Sequence, residues 1–131
     1  MNDERRTTND GKILAFTDLK AWQESHKLAV SIYRDTRKFP KEEMYGLTSQ
    51  IRRAGVSVTS NIAEGFSRDT YPDKAHFYVM AHASISEVIS QLLIARDVGY
   101  MDALTFKELE NQANIAFKLL RGLIRSTKEK K

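Results

Sequence analysis

The side chains here that could bind a metal or move a proton are three histidines, His26, His76 and His82, and a scatter of carboxylates. A di-iron bundle takes Glu from two helices and a Glu-x-x-His pair from each of the other two, so that the ligands converge in one core. That spacing is missing. Glu24 precedes His26 by two positions, and the acid three before His76 is Asp73, which reads as a helix cap beside a surface imidazole. With no cysteine, disulfides and thiolate metal sites are excluded and a reducing compartment fits. The sequence has no phosphate-binding loop, nucleotide fingerprint or Gly-x-Ser-x-Gly. Nothing spaces Ser and His as a triad or sets Glu64 against Glu87 as an acid pair. The chain is expected to use no metal or cofactor and to catalyse no reaction.

Charge offers a better lead. The 131-residue chain has 21 Lys and Arg against 17 Asp and Glu, a formal +4. From Phe117 onward, Lys118, Arg121, Arg125, Lys128, Lys130 and Lys131 are opposed by Glu129 alone, an excess of five that leaves the rest of the chain slightly negative. Clustered charge makes a field that a polyanion can feel. Lys118, Arg121, Arg125 and Lys128 are three and four apart, so a helix would carry them on one face. That face is either a solvated surface that also suits the C-terminal helix dipole or a phosphate-contacting one. Arg52 and Arg53 could extend it, as could the seven-spaced Lys20, Lys27 and Arg34. Four phosphate contacts would lower affinity by about two orders of magnitude between roughly 50 and 200 mM salt. Aromatic residues are few and read mostly as core, so base stacking is not expected and sequence readout should be weak.

The elements that must position these residues are helical. Residues 1–15, polar and mixed in charge, read as a flexible arm; 16–127 as one domain; 128–131 as a basic tail. No signal peptide is evident, and no window approaches a membrane span of about 20 apolar residues, which points to a soluble cytoplasmic protein. Thr17 or Asp18 should cap a first helix with Leu19, Trp22, His26, Ala29, Tyr33 and Thr36 inward. Leu28 and Ile32 would then fall outside that seam, as scattered surface residues or as a subunit contact. Pro40 interrupts the helix at Phe39. A second helix, from about Leu47 to Ala63 or Glu64, turns Leu47, Ile51, Ala54, Val58 and Ile62 inward and ends at Gly65 as a left-handed stop. Asp69 or Thr70 caps a third, with Pro72 in its first turn. Its inner face is Phe77, Met80, Ala81, Ser84, Val88, Leu92 and Ala95, and it stops near Gly99. Asp102 opens a fourth, with Phe106, Leu109, Ala113, Ala116, Phe117, Leu120, Leu123 and Ile124 inward. Four such helices with short loops predict an all-α, antiparallel up-down-up-down four-helix bundle.

Residues 56–68, VSVTSNIAEGFSR, carry hydroxyls and small side chains where a bundle helix usually carries Leu. Gln50, Ser57 and Glu64 make a heptad-spaced polar edge beside Asn61, and Ser84, Glu87 and Gln91 make a matching edge on the third helix. Two such edges can satisfy each other, as buried polar groups must. Gly55, Ser57, Ser60 and Ala63 lack bulk, so another backbone can come close.

The blocks FPKEEMYGLTSQIRRA and SNIAEGFSR, in this order and spacing, and the later ASISEVISQLLIARDVGY resemble the four helix bundle protein family. Its founding members are encoded in intervening sequences of bacterial 23S rRNA genes, and the resemblance runs from about Phe16 to Arg125. It implies a homo-oligomer, a ring-like pentamer, with a role in binding RNA or DNA; distant relatives are accessory proteins of diversity-generating retroelements. The family usually has Pro where this chain has Thr59, so any kink there should be absent or milder. The expected function is non-enzymatic nucleic-acid binding through Lys118, Arg121, Arg125 and Lys128, with Arg52 and Arg53 second. The alternative is a scaffold that recruits another protein, for instance a reverse transcriptase. A small-molecule-binding or toxin-like bundle is a third reading, without a distinctive site.

Overall fold

The computed structural model of the chain describes residues 12–130. A 3-10 turn, Phe16–Asp18, leads into helix α1, Lys20–Asp35. The expected cap does not form on α1. Asp18 instead accepts from the amides of Leu14 and Ala15, both at 3.0 Å, and Leu19 stands at the N-cap position without a side-chain bond. Residues 1–11 of the expected flexible arm lie outside the described residues.

The inner face of α1 differs from the expected one. Ala21, Ser25, Leu28, Ala29 and Ile32 are its buried residues, and Leu28 and Ile32 are fully enclosed. Tyr33 and His26 are exposed, and Trp22 is half-buried at the edge, packed against Phe16 and His26. The physical reason is size. Ala21, Ser25 and Ala29 let the neighbouring helices close on this side, whereas the bulkier Trp22 and Tyr33 are displaced to the rim. Leu28 and Ile32 are therefore core residues and cannot serve as a subunit contact.

Thr36 ends the helix by donating to the Ile32 carbonyl at 2.7 Å. Pro40 then holds Phe39 extended, at φ −65 and ψ 151, and Phe39 buries against Tyr100. Glu43, in the turn Lys41–Glu43, accepts from the Leu47 amide at 3.1 Å and from the Tyr100 hydroxyl at 2.7 Å. One carboxylate thus caps helix α2 and ties its start to the loop before the last helix. These bonds, the Leu47 amide first, hold the Glu43 carboxyl below its usual pKa.

Helix α2, Leu47–Ser67, buries Ile51, Ala54, Gly55, Val58, Ile62 and Gly65. Gly65 is not its left-handed stop; the helix continues two residues beyond it. A Cβ on Gly65 would lie 2.7 Å from the Tyr78 ring and 3.0 Å from the Lys74 carbonyl, so this glycine exists for close approach. Helix α3, Tyr71–Asp97, starts at Thr70, whose hydroxyl accepts from the Asp73 amide. Its core face is Ala75, Tyr78, Ala81, Ser84, Ile85, Val88, Leu92 and Ala95; Phe77 is half-buried and Met80 exposed, contrary to expectation. Gly99, at φ +85, makes the turn that expectation placed there. Helix α4, Ala103–Lys128, is capped by Asp102, which accepts from the Thr105 amide at 2.7 Å. It buries Phe106, Leu109, Ala113, Ala116 and Leu120 fully, and Phe117, Leu123 and Ile124 in part. The helix ends at Lys128, the first residue of the expected basic tail; Lys131 lies outside the described residues.

The fold is all-α, with four helices and no strand among the described residues. Each long helix packs on two others: α1 on α2 and α4, α3 on α2 and α4. α3 is long and apolar enough by composition to cross a membrane, contrary to the expectation that no window approaches a span. In the bundle α2 and α4 cover two of its sides, and its buried apolar residues make the core.

Candidate nucleic-acid interface

Between α3 and α4 runs a groove of about 840 Å³, and Lys118, Arg121, Arg125 and Lys128 all line it. On a helix the four occupy positions i, i+3, i+7 and i+10, a stripe about 15 Å long. All four are exposed, and none has an ion-pair partner among the described residues. Other surface cations do: Lys27 with Glu24 at 3.0 Å, Arg34 with Asp35 at 3.0 Å, Arg68 with Glu64 at 2.8 Å. Glu129 is the carboxylate on the groove's rim. The stripe therefore keeps most of its positive field.

The rest of the groove was not anticipated. Val79 and Ile124 supply an apolar floor, and His82 lies over the Phe117 ring with centroids 4.0 Å apart. Burial, and then the Arg121 charge, push the His82 imidazole below its ordinary pKa, so it is neutral at pH 7. A second hollow, of about 420 Å³, continues the groove and shares Val79 and Lys128 with it. It adds Tyr71, Pro72, His76 and Lys130, with the Lys130 ammonium 6.0 Å from the Tyr71 ring. The signal that could have found this face is the spacing of Pro72, His76, Val79 and His82, four and then three residues apart along one edge of α3.

The other cations named from sequence lie elsewhere. Arg52 donates through Nε to the Thr36 hydroxyl at 2.9 Å and through Nη2 to the Tyr33 carbonyl at 3.4 Å, and its guanidinium covers the Tyr33 ring. It clamps the end of α1 to α2. Arg53 lines a hollow of about 390 Å³ with Gln50, Ala54, Ser57 and Glu87, on the α2/α3 side. Neither extends the α4 stripe, and Lys27 and Arg34 are engaged with carboxylates.

The two polar edges meet only at their centre. Ser57 and Ser84 share a hydrogen bond of 2.9 Å, and the Asn61 amide donates to the Ser57 carbonyl and hydroxyl at 2.9 and 3.0 Å. Glu64 turns to Arg68 instead, Gln50 and Glu87 are exposed, and Gln91 is buried with its Oε1 unpartnered among the described residues. The small side chains here allow α2 and α3 to approach, and Ser57 with Ser84 satisfies what that approach buries.

The three histidines stand apart, on Trp22, Phe77 and Phe117 respectively. No group of three or more His, Asp or Glu side chains among the described residues is placed to hold a metal ion. The groove between α3 and α4 sets four cations beside an apolar floor.

A crystal structure of a protein with unknown function, from the S23 ribosomal protein family of Bacteroides thetaiotaomicron VPI-5482, is similar to this fold. The TM-score is 0.74 at 21% identity, covering 80% of this chain and 95% of that one. Comparison with curated proteins returns no match. The family model described as 23S rRNA-intervening sequence protein matches residues 17–122, nearly the whole bundle, and the resemblance read from the FPKEEMYGLTSQIRRA and SNIAEGFSR blocks points the same way. The chain belongs to the 23S rRNA-intervening sequence protein family.

Proposed function

We propose that the protein is a non-enzymatic, cytoplasmic bundle that assembles into a homo-oligomer and binds RNA or DNA through the α3/α4 groove. The observation that carries this reading is the stripe of Lys118, Arg121, Arg125 and Lys128, which share one groove and have no ion-pair partner among the described residues. Lysine and arginine only donate hydrogen bonds and hold their charge near neutral pH, which suits gripping phosphates and not exchanging protons. Two of the connections between consecutive helices, residues 68–70 and 98–102, are short enough to favour antiparallel neighbours, which supports an up-and-down order. In a ring, a pentamer for example, the groove would repeat and add avidity.

Fluorescence polarization with labelled RNA and DNA oligonucleotides at several salt concentrations tests this. Four phosphate contacts give a slope of log affinity against log salt of about −2.8 for a single strand and −3.6 for a duplex. Lys118→Ala, Arg121→Ala, Arg125→Ala and Lys128→Ala should each flatten the slope by nearly one contact. No binding at low salt refutes the reading.

A second reading, a scaffold that recruits another protein such as a reverse transcriptase, draws on the opposite face. There Val30, Tyr33 and Val56 are exposed around a hollow of about 600 Å³ between α1 and α2. Partners retained in a pull-down after nuclease treatment would favour it. Light scattering with Val30→Asp, which should lower the mass if that face holds copies together, tests whether the same surface makes the homo-oligomer.

A further inference from the structure

We propose that the nucleic acid taken by this groove is single-stranded, with one base seated in the hollow formed by Tyr71, Pro72, His76 and Val79. The inference rests on the nucleic-acid reading and narrows it to one substrate class. Few aromatic residues were expected outside the core, but Tyr71 is one of them, 38% exposed with Val79 43% exposed beside it and the cations alongside. The hollow is open, about 420 Å³, and predominantly apolar in its walls, with Lys128 and Lys130 at its edge. That combination fits a flat apolar ring carried on an anionic backbone.

The alternatives fit less well. A paired base has its faces covered by its neighbours in the stack and cannot enter a hollow on a protein surface unless it is flipped, at a cost. A base in a single strand presents a bare face that stacks on tyrosine or histidine without sequence preference. The Lys130 ammonium stands over the Tyr71 ring, 6.0 Å from its centroid, on the face where a base would stack. On binding it would be displaced towards the backbone, where it can meet a phosphate. The stripe on α4 runs about 15 Å, the length of four to five stacked nucleotides at about 3.4 Å each. Because Lys128 and Val79 belong to both hollows, a strand can lie along the stripe and turn one base into the cup without leaving the surface.

Polarization with a labelled single-stranded oligonucleotide and with the same sequence annealed to its complement, at low salt, tests the proposal. Wild type should bind the single strand more tightly. Tyr71→Ala should weaken single-strand binding by about 5- to 150-fold and leave duplex binding unchanged, while Tyr71→Phe keeps both. Arg121→Ala with Arg125→Ala should weaken both ligands alike. Tyr71 lies at the exposed first turn of α3, and circular dichroism checks that the variant keeps its helix content; His76→Ala, with a smaller loss expected, gives an independent readout. Equal affinity for the two ligands, or a Tyr71→Ala variant that binds the single strand as wild type does, overturns this inference and leaves the wider reading intact. Failure of wild type to bind either ligand removes the wider reading itself.

Discussion

Replacing Gly65 by Ala tests whether the small residues of α2 exist to admit α3. Taken alone, the exchange favours a helix by about 1 kcal/mol. Here the new methyl would sit 2.7 and 2.9 Å from two carbons of the Tyr78 ring and 3.0 Å from the Lys74 carbonyl oxygen. The ring is 3% exposed and has no room to swing away, and the carbonyl belongs to the first turns of α3. Forcing a methyl into a packed core costs about 1–3 kcal/mol, and with ring and backbone both obstructed the upper part of that range applies. The net effect should be a loss of about 1–2 kcal/mol. Gly122→Ala is the control, because nothing lies within 4 Å of its Cβ position and the helix preference acts unopposed, giving a gain of about 0.5–1 kcal/mol. Gly55→Ala should fall between them, since its nearest neighbour is the terminal Ile32 methyl at 3.1 Å, a milder overlap than the 2.7 Å at Gly65. Urea unfolding of the three variants gives the order directly. A Gly65→Ala protein as stable as Gly122→Ala would refute the close-packing argument.

Arg52→Ala should cost about 1–2 kcal/mol in urea unfolding, since it removes bonds to Thr36 and Tyr33, while leaving nucleic-acid affinity unchanged; a loss of affinity without a loss of stability would reverse that assignment. Thr59→Pro installs the residue usual in the family, but it removes an amide inside a regular helix and the Thr59 bond to the Val56 carbonyl; a loss of about 3 kcal/mol is expected, and an unchanged melting temperature would show that α2 tolerates the kink. His82 has a folded-state pKa below its usual 6.5, so the unfolded chain binds the extra proton first. Its stabilising contribution is present above about pH 6.5 and declines as pH falls through the window below it, so thermal melts should drop across that window in wild type and less in His82→Gln.

How much of this was legible in the sequence depended on what set each helix's phase. α4 was readable because Phe106, Leu109, Ala113, Ala116 and Leu120 are apolar on one stripe and the opposite stripe is charged, so its cations fell where expected. α1 was misread because its large aromatics, Trp22 and Tyr33, dominate any hydrophobic count, whereas packing is decided by Ala21, Ser25 and Ala29, which let Leu28 and Ile32 reach the centre. α3 is apolar on more than one side, so its pattern fixed no single face and Tyr78 and Ile85 displaced Phe77 and Met80. The candidate site follows the same division. Its α4 half was visible as spaced charge, but Tyr71, His76, Val79 and His82 become a surface only once α3 is laid beside that charge. The glycine at 65 carried a true signal with two meanings, a turn or a close contact, and only the position of Tyr78 chooses between them.

The distribution of charge partners around the bundle sets stability against binding. On the α1/α2 side Lys27, Arg34 and Arg52 are each engaged by a neighbour, and on α4 itself Lys107 pairs with Glu110 one turn away. Lower on the same helix, Lys118 with Arg121, Arg121 with Arg125 and Arg125 with Lys128 are like charges three or four residues apart, which destabilise a helix by about 0.2–0.5 kcal/mol per pair. The helix dipole offsets this for Arg125 and Lys128 in the last turn but not for Arg121. Arg121 takes part in two of these repulsions and adds the charge that opposes protonation of His82. Arg121→Gln should therefore raise the thermal midpoint at low salt, by an amount corresponding to about 0.5–1 kcal/mol, and the gain should shrink as salt screens the stripe. The same substitution should weaken nucleic-acid binding. If Arg121→Gln lowers stability, the arginine is held by contacts that the bundle needs, and the stripe is part of the scaffold and not a surface kept charged for an anionic partner.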